Sequence, residues 1–229
     1  MTEARSRKPV SLGLTALIAL ASALGALAIT GGHDAEAHGE HAVAGNGAVT
    51  SSELALRQGM RSLWEDHVSW TRLAIVSLTT GSPDTKATVA RLLRNQSDIG
   101  NAIKPYYGAK AGSELTRLLR EHILIAADLV AAAKAGDNAK VATEQKAWQR
   151  NADTIAGFLN KANPHAWKLR EMKTMLQSHL ALTTQEVVTR LQGKWNADVR
   201  AYDAIVKQAL GMADMLSEGI IDQFPARFA

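Results

Sequence analysis

The stretch Ser62–Leu73, SLWEDHVSWTRL, decides how the chain is read. Met60, Leu63, Trp70 and Ala74 stand seven before, four before, three after and seven after His67. That spacing is the apolar stripe of an amphipathic helix, so His67 lies on the side turned toward a core. An imidazole stripped of water there needs a partner. Two later histidines sit in the same setting. His122 is flanked at helical spacing by Leu115, Leu118, Ile125 and Leu129, and His179 by Met172, Met175 and Leu182.

Working outward, the apolar period stays helical from Ser52 onward, and no segment alternates with period two over a strand's length. Helices are expected over Ser52–Thr80, Thr85–Ile103, Gly112–Ala135 and Ala139–Lys161, then from Asn163-Pro164 to Gln192, and over Asn196–Phe224. The breaks fall at Gly81-Ser82-Pro83-Asp84, Pro105-Tyr106-Tyr107-Gly108, Gly136-Asp137-Asn138, Gly193 and Pro225. At Asn163-Pro164 the reading is a cap followed by proline in the first helical position. The expected fold class is all-α: an antiparallel bundle of about six helices arranged as three helical hairpins.

A weak repeat supports the hairpins. The second, fourth and sixth helices carry NQSDIGNAIKP, NADTIAGFLNKANP and MADMLSEGIIDQFP, each with an aspartate, an apolar residue and a closing proline. The helix before each carries one of the three histidines. Counted from each turn, His67 and Asp98, His122 and Asp153, and His179 and Asp214 fall ~15–17 residues away on either side. Each histidine is therefore expected level with its aspartate across a hairpin. Asn95 and Asn151, just before Asp98 and Asp153, can join the same polar layer.

Two readings of that layer follow. In one it is structural: the pairs satisfy each other and fix the register of the hairpins. In the other, His67, His122 and His179 converge on one cation, with Asp98, Asp153 and Asp214 orienting the rings or ligating directly. With no cysteine in the chain, imidazole and carboxylate suit zinc, iron, manganese or Cu(II) better than Cu(I). No ExxH or HExxH pair reinforces the metal reading. Glu65, Asp66 and Glu121 are displaced around the helix from the histidines and read as rim residues. Trp64, Trp70, Trp148, Trp167 and Trp195 read as core or interface packing, Met212 and Met215 as core filler, Tyr106-Tyr107 as packing at the bundle end, and His165 as exposed.

The flanking composition sets the compartment. Arg5, Arg7 and Lys8 precede an uncharged run from Pro9 to Gly32, and Ala35-Glu36-Ala37 has the form of a cleavage site. Residues 1–37 read as a signal peptide or membrane anchor, 38–51 as a flexible linker and 52–229 as the bundle. His33, His38 and His41 cluster near the linker as part of a solvated tether. The protein is expected to be exported, touching membrane only through its N-terminal segment. Net charge is +4, with both signs mixed throughout and no basic–aromatic alternation, which argues against nucleic acid. No G-x-S-x-G, phosphate loop or nucleophile–base spacing occurs, so no catalytic residue is assigned. The enzymatic alternative is a three-histidine metal with an open position that activates water.

LWEDHVSWTRL and QALGMADMLSEGIIDQFPARF resemble a poorly characterised family of bacterial helical-bundle proteins with the patterns LWxxHVxWTR and MADMxxxGIIxQFP. The resemblance runs from about Leu54 to Phe228. It implies an all-helical domain and supplies no catalytic residues.

Overall fold

A computed structural model describes residues 49–229. The segment read as signal or anchor, most of the linker, and His33, His38 and His41 lie outside the described residues. The rest is all-helical: α1 (Ser51–Thr80), α2 (Thr85–Ala102), α3 (Lys104–Ala135), α4 (Asn138–Ala162), α5 (Leu169–Leu191), α6 (Trp195–Gln223) and a 3-10 turn, Pro225–Arg227. No helix among the described residues is long and apolar enough to cross a membrane.

Local chemistry accounts for the boundaries. Thr50 and Glu53 form a capping box at the start of α1, with Glu53 N–H donating to Thr50 Oγ1 at 3.2 Å and Thr50 N–H to Glu53 Oε2 at 2.9 Å. Asp137 caps α4 by accepting from Lys140 N–H at 2.9 Å. Gly81 and Gly136 end α1 and α3 at φ 73° and 77°, a left-handed conformation that glycine adopts without strain.

Two expected boundaries move. α3 begins at Lys104 rather than Gly112, and the break read at Pro105–Gly108 survives as a kink at Gly108, φ 84° and ψ 165°. The turn before it places Tyr106 against Phe224 and Phe228, and Tyr107 against Trp167. α5 begins at Leu169, not at Asn163-Pro164. Asn163 does cap, accepting from Ala166 N–H at 3.1 Å, but its Nδ2 also donates to Gly219 O at 2.7 Å. The closed turn drives Trp167 into the core, 2% exposed, before the helix can start.

Each helix packs on its neighbours in sequence, and α6 returns onto α1 to close a ring; α1 also meets α3 and α5. α2 and α3 cross very closely. A Cβ on Gly100 would lie 2.5 Å from Gly112 O, and one on Gly112 2.5 Å from Gly100 O. The histidine-bearing helices α1, α3 and α5 run in register. Ile75, Val130 and Val187, each eight residues beyond its histidine, form one buried cluster. Three residues at one offset meeting at one level require the three histidines to share a level too.

Candidate functional site

His67, His122 and His179 are 4–5% exposed and gather in the bundle core. The rings of His67 and His179 lie 5.8 Å apart by centroid, those of His122 and His179 6.4 Å. Each ring is anchored through Nδ1 to an amide exactly one hairpin away: His67 to Gln96, His122 to Asn151, and His179 to Gln208, a 29-residue step in every case.

The second and third hairpins repeat one clasp. Asn151 Oδ1 faces His122 Nδ1 at 2.8 Å while its Nδ2 donates to Leu118 O at 3.1 Å. Gln208 Oε1 faces His179 Nδ1 at 3.0 Å while its Nε2 donates to Met175 O at 3.2 Å. The carbonyl used is always four residues before the histidine. An amide oxygen only accepts, so Nδ1–H donates and Nε2 keeps the lone pair. For His122 that lone pair accepts from Trp148 Nε1–H at 3.1 Å. The first hairpin divides the task. Asn95 Nδ2 donates to Leu63 O at 3.0 Å, and Gln96 Nε2 approaches His67 Nδ1 at 3.3 Å. Gln96 already meets Leu92 O at 2.9 Å and Asn95 Oδ1 at 3.0 Å, so His67 is the least constrained ring.

Burial sets the protonation. It lowers His67 to about 3, with help from the His179 and His122 rings, and lowers His122 to about 3, with help from His179. His179 is lowered by burial as well. All three rings are neutral at neutral pH, the form that ligates metals and accepts hydrogen bonds.

The three aspartates are not the partners of the rings. Asp98 is exposed, Asp153 pairs with Lys173 at 3.2 Å, and Asp214 pairs with Arg61 at 2.7 Å. The reason is angular. Asp98 and Asp153 stand two residues beyond the amide position and Asp214 six beyond, and at ~100° per residue each is swung ~200–240° away from the ring. Asn95 and Asn151 do join the polar layer, whereas Gln96 and Gln208 were missed. Their signal was present as the constant 29-residue interval. Glu65 and Glu121 are exposed, and Asp66 pairs with Arg91 at the rim, 2.6 Å. Of the five tryptophans Trp195 lies outside the core: it is 60% exposed, under the Arg190 guanidinium.

A second polar cluster lies toward the turn at Gly193. Arg72 reaches Glu186 at 2.8 Å and grips both oxygens of Asp198, which also accepts from Arg190 at 3.0 Å. Burial raises Glu186 above its ordinary range against the pull of Arg72. For Asp198 burial is outweighed by Arg72 and Arg190, and the carboxyl sits below its ordinary value.

Among the described residues, no three His, Asp or Glu side chains form a ready-made metal cage. The two close ring pairs share His179, and the His122 lone pair is covered by Trp148. The described residues thus form a six-helix bundle with a repeated imidazole–amide clasp. The chain matches no protein-family model, no curated protein and no solved structure.

Proposed function

We propose that this bundle binds one transition metal ion among His67, His122 and His179. One observation carries the reading: two imidazoles sharing a metal at ~2.0–2.1 Å have ring centroids ~5–6.5 Å apart, and the neighbouring pairs stand at 5.8 and 6.4 Å. The clasps add support. A metal-bound histidine commonly donates its other N–H to an oxygen that fixes tautomer and orientation, as Asn151 and Gln208 are placed to do. A metal held here would need the His122 lone pair that now accepts from Trp148 Nε1–H. With the aspartates outside the layer, the donor set is nitrogen only. That favours zinc or copper over manganese. Taken with an N-terminal segment read as an export signal, this makes the protein an extracytoplasmic metal binder.

The test is metal analysis and zinc calorimetry on untagged full-length protein. One equivalent should bind, His122→Ala should abolish binding, and removal of His33, His38 and His41 should leave it. A second reading rests on the Trp148–His122 bond: with both nitrogens of the His122 ring engaged inside the protein, the layer only locks the hairpins. Absence of zinc uptake, together with a stability loss in His122→Ala, establishes that reading instead.

A further inference from the structure

The Trp148–His122 contact has a place in the metal chemistry proposed above, and the inference rests on that reading. Asn151 holds the His122 proton on Nδ1, so Nε2 is the only nitrogen of that ring able to ligate. Trp148 Nε1–H occupies that nitrogen at 3.1 Å, with the two rings 5.1 Å apart by centroid. The lone pair cannot serve an indole N–H and a metal together.

The indole also has space beside it. Trp148 lines an apolar cavity of about 50 Å³ with Thr71, Ala74, Leu92, Ile123 and Thr183. No corresponding cap sits on the other two rings: among the described hydrogen bonds, His67 and His179 are engaged at Nδ1 alone. Trp64, which meets His67 edge-on at 5.3 Å, leaves its own N–H without an acceptor. Among the described hydrogen bonds the layer therefore holds one ring, His122, with both nitrogens engaged, and two rings with no partner at Nε2.

We propose that Trp148 is a gate on the metal site: a positioning residue that protects His122 Nε2 until a metal displaces its N–H, the indole shifting toward the adjacent cavity. The gate lowers affinity, because the loaded state strands a buried indole donor. It also discriminates by ligand number, since an ion satisfied by two imidazoles can load with the gate shut, whereas one requiring three must open it.

Cobalt(II) and zinc(II) titrations test this on full-length protein with His33, His38 and His41 replaced by alanine, so that the tether contributes no signal. Trp148→Phe keeps an aromatic ring and removes the donor. Its affinity for zinc should rise by at least ~5-fold, the scale of one stranded buried donor. In the unsubstituted background, the Trp148 Nε1–H resonance should move on zinc addition while those of the other tryptophans move less. If the parent binds zinc and Trp148→Phe binds no tighter, or the Trp148 resonance stays fixed, the gate is wrong and the metal site stands. If only Trp148→Phe binds, the gate is confirmed as shut in the parent. If neither protein binds zinc or cobalt while both remain folded by circular dichroism, the gate falls together with the metal reading.

Discussion

Gln208 holds His179 with the same two bonds that Asn151 uses on His122, one to the ring and one to the carbonyl four residues before it. This fastener recurs where two helices meet, deep in an apolar core, and its removal should be costly. Asn151→Leu leaves His122 Nδ1–H without its acceptor, at ~1–3 kcal/mol if it stays dry, while Leu118 O keeps its bond within α3. A loss of about 1–3 kcal/mol is expected in urea denaturation of the metal-free protein. The double variant His122→Phe/Asn151→Leu should lose less than the sum of its single changes. Strict additivity would show that the two side chains do not support each other.

Acid should unfold the metal-free protein earlier than an ordinary helical bundle. A histidine whose folded-state value lies below 6.5 takes up its proton in the unfolded chain first. Its contribution to stability is whole above 6.5 and drains as pH falls from there toward about 3, the window set by His67 and His122. Each such group costs ~1.4 kcal/mol per pH unit, and three approach ~4 kcal/mol per unit. Glu186, held above its ordinary range, opposes this as a single group. Against a typical margin of ~5–15 kcal/mol, unfolding should be complete above pH 3. A urea midpoint unchanged between pH 7 and pH 5 would contradict this.

Arg72 connects α1 to α5 and α6 through two acids that are almost fully buried. Arg72→Met leaves Arg190 as the one cation bonded to Asp198 and removes the bonded partner of Glu186. Breaking a buried pair from one side typically costs ~3–5 kcal/mol. A fall in melting temperature of about 6–20 °C is expected, since ~1 kcal/mol shifts a domain of this size by ~2–4 °C. Arg72→Lys should recover only part of it, because an ammonium cannot grip both carboxylates with a planar fork.

Gly219 faces Trp167 so closely that a Cβ there would come within 2.2 Å of the indole nitrogen and 2.8 Å of Cε2. Gly219→Ala must therefore push Trp167 out of its seat. The expected cost is ~1–3 kcal/mol, as for other overpacked cores. Trp167 fluorescence should shift to the red as the ring meets water. A variant of unchanged stability and spectrum would show that the turn before α5 yields freely.

The fold was legible because helical periodicity and glycine or proline breaks agreed along the chain, and even the kink at Gly108 lies where the sequence placed a break. The α5 start was misplaced because Trp167 and Gly219 are a tertiary pair 52 residues apart, invisible to local cap chemistry. The histidines were legible for the same reason as the helices: they interrupt apolar stripes. Their partners were misread because counting from turns fixes height along a helix but not rotation about it. A two-residue error in choosing Asp98 or Asp153 turned a core neighbour into a surface one. Amides also carry no charge to draw attention, although buried neutral rings pair with them at less desolvation cost than with carboxylates. The Arg72 cluster was missed because its members come from three helices with no spacing in common.

The meeting of α6 with α1 has one more effect. Ser52 Oγ donates to Phe228 O at 3.3 Å, so α1 begins beside the turn that follows α6. With like hairpins arranged around a closed circuit, no hairpin is privileged as the first. A short tether could join Phe228 to Ser52 and the bundle be opened instead at the Gly136 turn, giving a circular permutant of the bundle with the same core and an altered order of synthesis.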